Sequence, residues 1–208
     1  MAETAGQVVV IDDDPSVREA LESLLQSVGL HVNLYGSVPE FLAAPPVQAP
    51  TCLVLDVRLP GQGGLEFQRS LAASGVHPPI IFITGHGDIP MSVKAMKGGA
   101  IEFMTKPFRD QDLLDAIESG LKRDRARLER EHGMAQLRRD FESLSARERE
   151  IMRLVTSGLL NKQIAGQVGL SEITVKVHRA SVMRKMQAKS LADLVLKAEK
   201  LKEPGGSE

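Results

Sequence analysis

Four short apolar runs mark the first half of the chain, and each ends in polar or charged residues. They occupy residues 8–11, 52–55, 80–83 and 101–104, and residues 31–35 form a further short segment with strand character. Runs of this length, bounded by turn residues and separated by helical patterns, are typical of buried parallel strands. Five strand–helix units with short connections predict a doubly wound α/β domain with a five-stranded parallel sheet.

Capping residues mark the helix boundaries in this half. Asp14 can cap a helix whose first position is Pro15, and Gly29 is placed to end it. Further helices are predicted over residues 38–44, from the Gly-rich turn after Asp56 to residue 74, over residues 91–97, and after Pro107.

From residue 144 onward, every predicted element is helical. Ser145 and Glu148 form a capping-box pattern before an apolar helical stripe, and Gly169 ends the second helix. Ser171 caps a third helix, and a fourth follows. A short helix, a turn with glycine and a capped longer helix predict a helix-turn-helix within an all-α domain of four helices.

The intervening segment, residues 121–140, has alternating charges and no proline. Leu114, Leu121 and Leu128 are spaced by seven residues, which leaves a coiled-coil seam open as an alternative to a solvated helix. We expect Leu121 and Leu128 to be too sparse to bury the segment in either domain, and Gly133 to be the weak point of a continuous helix. The predicted organisation is a domain at 6–120, a helical linker at 121–140 and a second domain at 141–208.

The two halves of the chain differ in net charge. The net charge is −8 through residue 120, +3 over residues 121–140 and +4 from residue 141 onward, within a total of −1 for 208 residues. A basic second half is compatible with a polyanionic partner. The one cysteine, Cys52, excludes an internal disulfide and a cysteine metal cage. Residues 1–4 lack signal-peptide character and no apolar run reaches membrane-spanning length, so we expect a cytoplasmic protein without a membrane partner.

Chemically reactive side chains follow the predicted strands. Asp12 and Asp13 follow the first strand, Asp56 ends the third, Thr84 ends the fourth and Lys106 follows the fifth. Because the carboxyl ends of parallel strands share one edge of the sheet, we expect these side chains to meet there. Asp12, Asp13 and Asp56, with one backbone carbonyl just after Asp56, would suit Mg²⁺. Asp56 could then attack phosphorus, while Lys106 and Thr84 contact the phosphoryl oxygens.

The third helix of the second half carries basic side chains outside its apolar stripe. They are Lys176, His178, Arg179, Arg184 and Lys185. The capped amino end of the same helix also offers free backbone N–H groups to phosphates. This pattern favours a DNA-binding recognition helix over a solvated helix face.

Taken together, these motifs resemble a bacterial two-component response regulator. Asp12-Asp13, Asp56, Thr84 and Lys106-Pro107 are similar to the residue set of a receiver domain. Segments 144–150, 161–165 and 174–178 resemble the LuxR/NarL-type helix-turn-helix, and Thr-Gly-His-Gly-Asp at 84–88 is similar to the FixJ subgroup. For the sheet, the resemblance implies the flavodoxin-like strand order 2-1-3-4-5.

The resemblance implies that a sensor histidine kinase phosphorylates Asp56. The backbone carbonyl of Arg58 then belongs to the metal site, and Thr84 and Phe103 act as switch residues that move when Asp56 carries the phosphoryl group. It also implies dimerisation on phosphorylation, binding to promoter DNA, and contact with RNA polymerase during regulation of transcription. Styrene catabolism is the candidate target process.

In the second domain, the base-contacting positions of the family fall on Lys176, Val177 and Ala180. Ala180 stands where a polar residue is frequent, so the resemblance does not carry over a target sequence. The last helix, around residues 191–198, resembles the family's dimer contact on DNA, with a purely structural role as the alternative.

Two functions of other classes remain as alternatives. A haloacid-dehalogenase-type phosphatase would also use Asp56 as its nucleophile, but it needs a second Asp two residues later, where this chain has Arg58. A ligand-sensing LuxR-type activator needs an apolar small-molecule pocket, where the first domain offers an acidic cluster. We therefore favour a transcription regulator over an enzyme.

Overall fold

The computed structural model describes residues 6–45 and 49–202. The chain divides into two compact units, Met1–Glu129 and Arg130–Glu208. Residues 1–5, and with them the expected absence of a signal peptide, lie outside the described ranges. Among the described helices, none combines the length and the apolar character that a membrane span requires.

A five-stranded sheet with strand order 2-1-3-4-5 forms the centre of the first unit. Its strands are β1 (Gln7–Ile11), β2 (His31–Tyr35), β3 (Thr51–Asp56), β4 (Ile80–Thr84) and β5 (Glu102–Thr105). All four strand pairings are parallel. Parallel strands need crossover connections, and helices supply them here. Both the predicted fold class and the strand order are confirmed.

Several of the helices around the sheet begin next to a capping side chain. They are α1 (Pro15–Ser27), α2 (Val38–Ala43), α3 (Gly64–Ala73), α4 (Ile89–Lys97) and α5 (Asp110–Glu142). The Asp14 side chain accepts a hydrogen bond from the Ser16 N–H, as expected for an N-cap. Helix α4 begins two residues earlier than predicted, because the Asp88 side chain caps it by accepting from the Met91 N–H.

Two apolar layers cover the sheet. One includes Phe67, Phe82 and Val38, and the other includes Leu25, Leu113 and Cys52. Cys52 is fully buried, and burial raises the pKa of its thiol to about 12. The thiol is therefore a small neutral core group.

Helix α5 makes more contact with the first unit than the sequence suggests. Leu121 is buried in the layer that contains Leu113 and Cys52. Three residues further along the same helix, Asp124 is also buried and accepts a 2.8 Å hydrogen bond from the Thr51 N–H at the start of β3. The expectation that Leu121 and Leu128 are too sparse to bury the segment in either domain is therefore wrong for its first turn, because one leucine and one paired carboxylate are sufficient to pack this turn against the first unit. The helix continues without interruption through Gly133.

Four further helices lie in the part of the second unit that the structure describes. They are α6 (Ala146–Thr156), α7 (Asn161–Val168), α8 (Glu172–Lys185) and α9 (Leu191–Lys202). The predicted capping box is present in α6, where Ser145 and Glu148 bond each other's backbone N–H groups. Gly169 adopts a left-handed conformation with φ 67° after α7, which turns the chain into α8. The shared core of these helices includes Ile151, Ile164, Val175 and Leu194.

Candidate functional site

The ends of four strands bring together the reactive side chains of the first unit. Asp12 directly follows β1, Asp56 and Thr84 end β3 and β4, and Lys106 directly follows β5. Asp12 and Thr84 are fully buried, and Asp56 is 7% exposed. The predicted meeting of these residues at one edge of the sheet is thus present in the structure.

Lys106 links the two buried carboxylates of this edge. Its Nζ lies 2.6 Å from Asp12 Oδ2 and 2.9 Å from Asp56 Oδ2. Burial alone would lower the pKa of Lys106, but the hydrogen bonds and charges of the two aspartates outweigh this effect and raise it. The lysine is therefore held as a cation beside Asp56.

Backbone N–H groups fix the other carboxylate oxygens. The Asp14 N–H donates to Asp12 Oδ1 at 3.0 Å, and the Arg58 N–H donates to Asp56 Oδ1 at 2.9 Å. The Arg18 guanidinium donates to the backbone carbonyl of Asp12 at 2.6 Å. The sequence reasoning missed Arg18, although its place one turn into a helix capped by Asp14 could have indicated this contact.

Three acidic side chains of this edge are close enough to share one cation. Ligand oxygens of Asp12, Asp13 and Asp56 all lie within 4.8 Å of one another, and Asp13 is exposed. Burial raises the pKa of Asp12, although its hydrogen bond from Lys106 opposes this shift. A group of carboxylate oxygens with one solvent-facing member suits a hard divalent cation that keeps several waters.

Thr84 and Phe103 lie on the neighbouring strands β4 and β5. The Thr84 carbonyl accepts from the Lys106 N–H at 2.8 Å, and its Oγ1 accepts from the His86 N–H at 3.3 Å. Phe103 is half-buried, with its ring centroid 6.4 Å from that of Phe82. A Cβ added to Gly87 would lie 2.9 Å from Phe103 Cε1, so a larger residue in this loop would require the ring to shift.

Helix α8 presents one face to solvent and buries the other. Val175, Val182 and Met186 are buried in the core of the second unit. Of the six residues predicted to contact DNA, Lys176, Val177 and Arg184 are exposed, while His178, Arg179 and Lys185 are half-buried. Half of the predicted contact residues are therefore open to solvent, and the other half are partly covered by the protein itself.

Two of the half-buried basic residues make contacts within the protein. Arg179 donates to Asn161 Oδ1 at 3.1 Å, which ties α8 to the start of α7. Lys185 Nζ lies 2.7 Å from Glu148 Oε2 and also donates to the Ser143 carbonyl at 3.1 Å. These side chains position the helix within the domain, whatever else they contact.

Glu148 is a buried acidic group that the sequence reasoning assigned only to the capping box. Hydrogen bonds from Lys185, Ser181 and the Ser145 backbone N–H lower the pKa of Glu148 to about 2. The capping-box pattern predicted the Ser145 contact, which is 2.8 Å long. Nothing local in the sequence could reveal Ser181 and Lys185, because they lie 33 and 37 residues away.

Comparison with known protein families identifies both units. Residues 8–118 match the response regulator receiver domain. Residues 142–198 match the bacterial regulatory proteins of the luxR family. The chain therefore belongs to the two-component response regulators that carry a LuxR-type helix-turn-helix, a family of transcription regulators rather than enzymes.

Individual relatives cover nearly the whole chain. Nodulation protein W of Bradyrhizobium diazoefficiens is 54% identical over 200 residues, which cover 96% of this chain and 88% of that protein. The structure of the response regulator StyR is similar with a TM-score of 0.87 and 49% identity, over 94% of this chain and 99% of the other. Full-length FixJ from B. japonicum has a TM-score of 0.57 and 42% identity, over 95% of this chain and 97% of the other. The predicted resemblance to the FixJ subgroup is thereby confirmed.

Proposed function

We propose that this chain regulates transcription after a sensor histidine kinase transfers a phosphoryl group to Asp56. The observation that carries the proposal is the contact of the Lys106 ammonium with both Asp12 and Asp56 inside an acidic cluster. In the transfer, an Asp56 carboxylate oxygen attacks phosphorus, the O–P bond forms and the N–P bond to the kinase histidine breaks. The product is an acyl phosphate on Asp56.

The neighbours of Asp56 would stabilise the charge of the transferred group. Lys106 lies close enough to exchange its contact with Asp56 Oδ2 for one with a phosphoryl oxygen. We propose Mg²⁺ as the cation, held by Asp12, Asp13, Asp56 and the Arg58 backbone carbonyl. When bound, it would supply positive charge beside the phosphoryl oxygens.

Thr84 and Phe103 are the proposed switch residues of the first unit. The Thr84 hydroxyl lies on the strand beside Asp56, where it could donate to a phosphoryl oxygen. This would free the His86–Gly87 loop, which now contacts the Thr84 hydroxyl and the Phe103 ring. Phe103 lacks a hydroxyl, so its inward movement would change packing rather than form a new hydrogen bond.

Two surfaces of the first unit support the proposed protein partners. A groove of about 470 Å³ lies between α1 and the start of α5, and its lining includes Val17, Leu24, Phe108 and Lys106. An apolar groove that reaches Lys106 would suit a helix of the sensor kinase. On α4, Ile89, Val93 and Met96 are exposed at helical spacing, which supports self-association of phosphorylated chains.

The second unit is proposed to bind promoter DNA through α8. The proposed contact residues are Lys176, Val177, His178, Arg179, Arg184 and Lys185. Ser171 caps the helix by accepting from the Thr174 N–H, which leaves other N–H groups of the first turn for a phosphate. We propose the organisation 6–120 for the receiver domain, 121–140 for a helical linker and 141–208 for the DNA-binding domain.

Regulation of transcription would proceed in the cytoplasm through RNA polymerase at the bound promoter. Promoters of styrene catabolism are the first candidate targets, from the resemblance of the sequence. Promoters of nodulation genes are the second, because the relative with 54% identity is named nodulation protein W. Footprinting with the phosphorylated chain on both promoter sets would distinguish them.

Phosphorylation by acetyl phosphate tests the proposal directly. The full chain is incubated with acetyl phosphate and Mg²⁺, and intact mass spectrometry counts the added phosphoryl groups. We expect one group on the wild type and on Asp115→Asn, whose aspartate is exposed on α5, and none on Asp56→Asn. DNA affinity, measured on the same samples, should rise only where the mass rises. Full labelling of Asp56→Asn would refute the assigned phosphoacceptor.

A further inference from the structure

The exposed face of α8 carries branched apolar side chains. Ile173 is 75% exposed and Val177, one turn later, is 64% exposed. Ala180 continues the same face and is also exposed. The spacing of 173, 177 and 180 is that of one helix face, opposite the buried Val175 and Val182. The sequence reasoning did not single out Ile173.

Two cations lie on the same face as these aliphatic groups. Lys176 and Arg184 are exposed, and the side chain of neither forms a hydrogen bond or ion pair with any residue that the structure describes. Single exposed apolar residues are ordinary on protein surfaces. A face that alternates unpaired cations with branched aliphatic groups is instead complementary to a polyanion that also presents methyl groups.

The major groove of DNA has this chemistry. Its edges are flanked by phosphates, and thymine is the base that presents a methyl group there. An acidic protein surface could also match the charges, but the helix-turn-helix and the capped amino end of α8 favour DNA.

We propose that Ile173 is a specificity-determining residue, which together with Val177 contacts the 5-methyl groups of thymines in the major groove. The inference rests on the proposed DNA-binding function and adds the base that the helix selects. Four residues of α-helix rise about 6 Å, and successive bases are about 3.4 Å apart. The two side chains should therefore favour thymines within about two base pairs of each other, on either strand.

Replacement of thymine by deoxyuridine tests this inference, because it removes only the methyl group. A preferred duplex is first selected with the phosphorylated full chain from a randomised library. Each thymine of that duplex is then replaced singly, and affinity is measured by fluorescence anisotropy. At one or two positions we expect a loss of about fourfold for the wild type, the size expected for burial of one methyl-sized group.

The variant Ile173→Ser should abolish the preference for thymine over deoxyuridine at one of these positions, while its affinity for the deoxyuridine duplex stays close to that of the wild type. Val76→Ser is the matched control, since Val76 is 49% exposed in the first unit. It should keep the fourfold preference. Thermal unfolding of each variant checks that the fold is intact.

The possible failures are distinguishable. If the wild type selects a sequence but is insensitive to every methyl group, the inference is overturned and the proposed function stands. The same holds if Ile173→Ser keeps the full thymine preference. If no sequence is selected at all, DNA recognition itself fails, and the inference fails with it.

Discussion

In the first unit three of the proposed reactive side chains, Asp12, Asp56 and Thr84, are buried, whereas in the second unit three of the six proposed contact side chains are exposed and three are half-buried. Asp12 and Thr84 have no solvent exposure, while Val177 is 64% exposed. Burial of a carboxylate is costly unless it is paired, and Asp12 and Asp56 are paired through Lys106. The proposed phosphoacceptor site is therefore stabilised by the pairing of its own charges.

Glu148 extends this comparison within the second unit. It is as buried as Asp56 and accepts hydrogen bonds from three groups, two of them on α8, so it joins α6 to α8 inside the domain. Buried polar groups thus form the proposed phosphoacceptor site in one unit and join two helices in the other. The two roles can be separated, because loss of the first should affect phosphorylation and loss of the second should affect stability.

The largest effect is expected from Glu148→Ala. It removes the acceptor for Lys185, Ser181 and the Ser145 N–H, and should lower the free energy of unfolding of the second unit by about 2–3 kcal/mol. Chemical denaturation followed by circular dichroism measures the loss. Phosphorylation of Asp56 should be unchanged. A variant with wild-type stability would show that Glu148 has no structural role.

Gly64→Ala should disturb the proposed phosphoacceptor site through the backbone of Asp56. A Cβ at Gly64 would lie 2.3 Å from the Asp56 carbonyl oxygen, so we expect a loss of stability of about 1–3 kcal/mol and slower phosphorylation. Gly133→Ala is the matched control. Apart from its chain neighbours and the backbone of its own helix, no described atom lies within 4 Å of a Cβ there, and alanine in a helix should stabilise by about 0.5–1 kcal/mol. Equal effects of the two substitutions would contradict this account.

Lys176→Ala should weaken DNA binding and also relax the base preference, at a cost of about 1–3 kcal/mol. Arg184→Ala should weaken binding evenly across sequences and reduce the dependence on salt. Both side chains are exposed, so neither change should alter stability by more than about 0.5 kcal/mol. Binding-site selection at two salt concentrations measures both effects. Identical behaviour of the two variants would mean that a different face of α8 contacts the bases.

Asp13→Ala should weaken Mg²⁺ binding at least tenfold, or about 1.4 kcal/mol. The reason is the loss of one of three carboxylates that lie within 4.8 Å of one another. Calorimetric titration of the full chain gives the affinity. Glu19→Ala removes a nearby exposed charge outside the cluster and should have little effect. Unchanged affinity for Asp13→Ala would exclude Asp13 from the metal site.

Acidification should abolish the contribution that the Glu148 carboxylate makes to the free energy of unfolding of the wild type. Its pKa is about 2 in the folded chain, below its ordinary value of 4.5. A carboxylate with a lowered pKa stabilises the fold above pH 4.5, and this contribution is lost as the pH falls from about 4.5 toward 2. Calorimetric scans at several pH values should therefore show the stability difference between wild type and Glu148→Gln shrinking over this window. A difference that stays constant would exclude ionisation of Glu148 as its cause.

The sequence predicted the fold and the strand-end cluster because both follow from local patterns. Apolar runs mark strands, and in a parallel sheet their ends share an edge, so Asp12, Asp56 and Lys106 could be placed together without any contact information. Capping residues such as Asp14 and Ser145 accept hydrogen bonds from N–H groups no more than three residues away. Both caps are present in the structure, as predicted.

The sequence did not reveal two kinds of feature. One is a contact between segments that are distant along the chain, and the other is the exposure of a single side chain. Asp124 accepts a hydrogen bond from the Thr51 N–H, which lies 73 residues earlier in the chain, and no local sequence pattern indicates such a pair. Ile173 gave no signal either, because an apolar residue in a helical pattern suggests the core until its surroundings are known. Its 75% exposure comes from the way α8 packs against α6 and α7.

The hydrogen bond between Asp124 and Thr51 also bears on where the chain can be divided. A fragment that ended at residue 120 would lose the partner of the Thr51 N–H and the Leu121 side chain that packs on the apolar layer with Cys52. A fragment that ended at residue 129 would keep both, as well as the 2.7 Å ion pair between Asp124 and Arg127. Truncation after 129 rather than after 120 should therefore yield the receiver fragment that resists proteolysis longer.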